Sequence, residues 1–91
     1  FMESLTEAAI KLGMSLPEAR LLAVQTAVGS AKLASVSDED LAKLRDSVTS
    51  PGGTTQQAIL SFEQAGLRGV VNDAVSAAKK RSLELSEEFG A

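Results

Sequence analysis

The chain has 91 residues with a formal net charge of −3, and it contains neither cysteine nor histidine. That length allows at most one domain. The missing residue types exclude disulfides and thiolate metal sites, leave carboxylates alone as a poor zinc set, and remove the usual neutral-pH acid–base group. The negative balance disfavours nucleic acid, and no apolar run reaches the roughly 20 residues a membrane span needs, so the cytoplasm is the default setting.

Hydrophobic residues make up 44% of the chain but aromatics only 3%, so the apolar content is Leu, Val, Ile and many Ala. This composition suits closely approaching helices. Phe1, Leu5, Ala8, Ala9 and Leu12 follow the helical period, and Gly13 is a good stop. Phe1 precedes Met2 and nothing before it caps this helix, so the chain reads as a fragment of a longer protein.

The second helix takes its start signal from Ser15, which stands at capping-box spacing from Glu18, with Pro17 tolerated in the first turn. It is expected to run to about Ala34. Leu21, Leu22, Ala23, Val24, Ala27, Val28 and Ala31 spread over more than one face, which points to burial on several sides. Gly29 in its interior costs about 1 kcal/mol relative to Ala and reads either as a close helix crossing or as simple tolerance.

A third, short helix is expected from Ser37 to about Asp46. Asp38, Glu39 and Asp40 supply negative charge at its N-terminus, and Leu41 and Leu44 face inward. A fourth is expected from about Thr55 to Ala65, closed by Gly66. The last runs from Leu67 or Arg68 toward Glu87, with Glu87 and Glu88 at the unfavourable end of its dipole, where fraying is expected. No segment alternates with period two. The fold class is therefore all-α, a compact domain of about five helices.

The segment Thr49-Ser50-Pro51-Gly52-Gly53-Thr54-Thr55 is the one that carries chemistry. Pro51 fixes its own φ and biases Ser50 away from the helical region; Gly52 and Gly53 permit positive φ and a close approach of backbone to ligand. Thr54 or Thr55 is positioned to cap the next helix. Free N–H groups and the positive end of the dipole make such a place suited to a small anion. On residue chemistry alone, the same stretch also reads as an ordinary turn. It is neither a Walker A loop, since no Lys follows the glycines, nor a dinucleotide fingerprint, since no strand precedes it.

With its flanks this segment resembles the C-terminal domain of pyrroline-5-carboxylate reductases. The residues that carry the resemblance are Asp46 to Thr55, Glu63-Gln64-Ala65-Gly66-Leu67-Arg68, Ala74-Val75 and Arg81-Ser82-Leu83-Glu84-Leu85, together with Glu3 to Ala8 and Gln25 to Ala31. The resemblance implies that residues 1–91 form a dimerisation and substrate-binding domain, similar in fold to the C-terminal domain of 6-phosphogluconate dehydrogenases and interlocked with its twin. It also implies an N-terminal nucleotide-binding Rossmann domain outside this chain. The parent enzyme would reduce 1-pyrroline-5-carboxylate to L-proline with NADP- or NAD-derived hydride, as a homodimer and in some members a decamer. Ser50, Gly52, Gly53, Thr54 and Thr55 match the family's substrate-binding loop, with Gly52, Gly53 and Thr54 as backbone donors and the Thr55 hydroxyl near the ring nitrogen. No cofactor, metal, nucleic acid or membrane is assigned to this chain, which alone is expected to be inactive.

The alternative is a free-standing helical interaction module. A helix-turn-helix reading fails because the helix after the loop has no Lys or Arg between Thr54 and Ala65. Lys79-Lys80-Arg81 reads as a solvated face. Arg68 either pairs with an acid or touches the pocket, and Asp38, Glu39 or Asp40 either serves the helix dipole or lines it.

Overall fold

A computed structural model describes residues 1–90. Five helices follow in order: α1 Met2–Lys11, α2 Leu16–Val36, α3 Leu41–Ser47, α4 Thr54–Gln64 and α5 Leu67–Glu88, with no strand among the described residues. The all-α expectation holds in number and order. The chain divides into two units, Phe1–Ser47 and Val48–Ala91, each described by itself.

In the first unit α1 packs against α2. The turn between them is closed by backbone bonds, Gly13 N to Ile10 O at 3.0 Å and Met14 N to Ala9 O at 3.1 Å, with Gly13 at φ 109°. Ser15 caps α2 as its spacing predicts: its Oγ accepts from the Glu18 N–H at 3.4 Å. The buried residues are Ala19 and Ala23, one turn apart on α2. Small side chains there leave room for another helix to come close, and they explain why an Ala-rich sequence builds a helix pair.

Most of the larger apolar side chains lie outside. Leu21, Leu22 and Val28 on α2 are 61%, 52% and 56% exposed. The sequence expectation that α2 is buried on several sides is therefore not met within this chain. A Cβ built on Gly29 meets nothing within 4 Å, so no close crossing inside the chain accounts for that glycine.

The third helix begins later than its acidic run predicts. The Ser37 Oγ accepts from the Glu39 N–H at 3.1 Å and holds residues 37–39 in a local turn. The start then falls to Asp40, whose Oδ1 accepts from the Lys43 N–H at 2.8 Å while its carbonyl accepts from Leu44 at 3.1 Å. A short polar side chain that bonds nearby backbone competes with helix, which is why Ser37, Asp38 and Glu39 stay outside it. Leu44 is half-buried, whereas Leu41 is 73% exposed rather than inward.

In the second unit α4 packs against α5 across a tight turn at Ala65 and Gly66. Gly66 adopts φ 81° and serves as the N-cap of α5. Arg68 pairs with Glu63 across this corner at 3.1 Å, the first of the two roles open to it in the sequence. At the far end α5 stays helical through Glu88 despite its acids. Arg81 reaches both Glu84 (3.2 Å) and Glu88 (3.6 Å) there, a local compensation for the dipole.

Candidate functional site

Ser50, Pro51, Gly52 and Gly53 form a β-turn. The Gly53 N–H donates to the Ser50 carbonyl at 2.9 Å, and Gly52 sits at φ 74°. Proline at the second position and a positive-φ glycine at the third are the residues a type II turn demands. The two glycines do different work. Gly52 needs the left-handed region. Gly53 does not: its φ of −85° and ψ of 178° are ordinary extended values. What Gly53 needs is space, because a Cβ there would lie 3.1 Å from the Ser50 carbonyl oxygen.

Gly53 is also the N-cap of α4, and no side chain caps that end. The expectation that Thr54 or Thr55 caps the helix is thus corrected: both lie inside the first turn, and both are exposed. The first amide of the segment to bond up the helix path is that of Gln57, to Gly53 O at 3.2 Å. The N–H groups of Thr54, Thr55 and Gln56 therefore precede the intrahelical ladder and point out of the helix end, where the dipole is positive.

The amide of Gly52 is engaged differently. It donates to the Oε1 of Gln56 at 2.6 Å, back from the first turn of the helix. This resembles a capping box displaced by one residue, since a Gln three positions after the cap ordinarily bonds the cap's own N–H. Of the five site residues singled out from the sequence, Ser50 and Gly53 close the turn through backbone atoms. Gly52 is latched by Gln56, and Thr54 and Thr55 offer both amides and hydroxyls to solvent. Gln56 itself escaped the sequence reading, although its spacing from Gly53 was the available signal.

A proline-glycine turn feeding open amides into a helix N-terminus, in a chain made only of helices among its described residues, can orient a small carboxylate but binds it weakly alone, at about 0.3–2 kcal/mol for the dipole term. Among the described residues there is no cluster of three or more potential metal ligands, and no helix is long and apolar enough to cross a membrane. These features describe a helical chain with a turn whose geometry suits a small anion.

The family model for pyrroline-5-carboxylate reductase dimerisation matches residues 1–85, so the chain belongs to that family. It is similar to the pyrroline-5-carboxylate reductase of Pseudomonas aeruginosa, 46% identical over 98% of this chain and 33% of that protein. It also matches that of Pisum sativum, 42% identical over 93% of this chain and 31% of that one. Among solved structures it is similar to a pyrroline-5-carboxylate reductase from Coxiella burnetii (TM-score 0.88, 45% identity, 92% of this chain, 31% of that one). A second is a pyrroline carboxylate reductase from Plasmodium falciparum with NADP bound (TM-score 0.87, 36% identity, 90% of this chain, 31% of that one). The chain spans about a third of the length of the curated relatives it matches.

Proposed function

We propose that this chain is the part of an NAD(P)H-dependent pyrroline-5-carboxylate reductase that pairs two subunits and holds the substrate carboxylate. The observation that carries the proposal is the Ser50–Gly53 turn. It leads into the open amides of Thr54, Thr55 and Gln56 at the helix end, in a chain whose family is the reductase dimerisation domain. The substrate is 1-pyrroline-5-carboxylate and the product L-proline. Hydride comes from a nicotinamide cofactor held by residues outside this chain, with NADPH taken as the donor on the strength of the Plasmodium structure.

This chain's own contribution is binding, orientation and one proton. The carboxylate accepts from the helix-end amides, which fixes the ring over the loop. The Thr55 hydroxyl, in the same first turn, donates its proton to the ring nitrogen as hydride adds to the carbon of the C=N bond, and it regains a proton from the solvent to which it is exposed. Ser50, Gly52 and Gly53 shape the turn. The exposed apolar side chains of α2 and α5 supply the surface on which a second copy docks, giving a homodimer and, in higher assemblies, a decamer in the cytoplasm.

The test is NADPH oxidation by the full-length protein with pyrroline-5-carboxylate, wild type beside Thr55→Ala. Turnover in the wild type with a loss of roughly 100-fold in kcat for the variant is expected, the usual effect of removing a positioned donor. No turnover by a folded wild-type protein would return the chain to a helical interaction module.

A further inference from the structure

We propose that Gln56 is a positioning residue of this site: its side-chain carbonyl accepts from the Gly52 amide and ties it to the first turn of α4, so the loop is set before an anion arrives. The inference rests on the carboxylate-binding reading above. Gly52 is the residue of the turn with the least conformational restraint, since glycine moves readily between positive and negative φ. The Gly53 N–H to Ser50 O bond closes the turn but does not fix the peptide that precedes Gly52. The 2.6 Å bond from the Gly52 N–H to Gln56 Oε1 does fix it, and ties it to the first turn of α4.

Two consequences follow for the ligand. The Gly52 amide is occupied, so the donors offered at the helix end are those of Thr54, Thr55 and Gln56. Gln56 is also half-buried while Thr54 and Thr55 are exposed, and its carboxamide braces the loop through the Gly52 bond as its own backbone N–H joins the donor set. A neutral acceptor suits this role. It satisfies the amide without placing a negative charge beside an incoming carboxylate. Preorganisation of this kind acts on substrate affinity rather than on the chemical step.

The experiment uses the full-length protein with pyrroline-5-carboxylate and NADPH. Gln56→Met keeps length and helix propensity but removes the carbonyl acceptor; Gln56→Ala serves as a second truncation. Both are expected to raise KM for pyrroline-5-carboxylate by roughly three- to tenfold, the effect of losing about one hydrogen bond, with kcat and KM for NADPH within about twofold of wild type. Hydrogen exchange at the Gly52 amide should speed up in both variants and stay slow in Gln56→Glu, which keeps an accepting oxygen. An unchanged KM would reduce Gln56 to a helix cap and overturn the proposal. A lowered KM would also overturn it, by showing that the carboxamide occupies a donor the substrate wants. Wild-type protein that folds but does not turn over would remove the reductase reading, and this inference with it.

Discussion

Ala19 and Ala23 stand one helical turn apart on α2 and are each 1% exposed, while Leu22 between them is 52% exposed. The sealed seam of the first unit is thus two methyl groups wide, and the longer side chains of the same helix face away from it. A seam this small has no room for growth. Ala19→Leu should overpack it and destabilise the fold by about 1–3 kcal/mol. Thermal unfolding of the full-length protein at fixed concentration checks this; an unchanged midpoint would mean that α1 simply moves aside.

The outward residues make a different prediction. Burying a Val or Leu side chain contributes about 1.5–3 kcal/mol, so Leu21, Leu22 and Val28 represent stabilisation that this chain does not collect by itself. Val28→Asp should weaken self-association while leaving the helical circular dichroism intact. Light scattering on a sizing column, over a range of protein concentrations, reads the outcome. A variant that elutes as wild type at every concentration would move the pairing surface elsewhere.

Two glycines with nearly the same backbone separate local strain from ligand binding. Gly52 and Gly66 sit at φ 74° and 81°, and a Cβ would meet nothing within 4 Å at either place. Each substitution by Ala should therefore cost about 1–2 kcal/mol of stability from the left-handed conformation alone. Only Gly52→Ala should also raise KM for pyrroline-5-carboxylate, because Gly66 lies at the α4–α5 corner. Equal effects on KM would show that the loop matters for folding and not for the substrate.

The Arg68–Glu63 pair should contribute little. Its partners are 71% and 42% exposed at the side chain, and exposed pairs are worth about 0–1 kcal/mol. Glu63→Gln is expected to change the unfolding midpoint by no more than a few degrees. Ser15→Ala, which removes the α2 cap, should cost about 1 kcal/mol and exceed it.

The helices were legible because their punctuation is local. Gly13, Ser15 with Glu18, and Gly66 each act within one turn, and each does in the structure what its residue type dictates. The start of α3 is not legible in the same way, because three acids in a row offer several caps and only geometry selects Asp40. The loop was legible as a turn, through Pro51 and Gly52, but its internal wiring was not. Taking Thr54 or Thr55 as the cap shifts the helix frame by one or two residues and hides Gln56 at the third position after Gly53. The apolar residues of α2 predict burial on several sides, which this chain does not provide, because a sequence does not say whether the covering surface belongs to the same chain.

A subunit that carries much of its apolar surface outside is completed by a companion, so its fate in a cell depends on gene dose as well as on its own folding. A variant damaged only at Thr55 would still pair, and when co-expressed with wild type it would be built into mixed assemblies. A variant damaged at Val28 would stay out of them. Activity of the mixed assemblies should fall in proportion to the share of the Thr55 variant, while the Val28 variant should leave the pairing of wild-type subunits untouched.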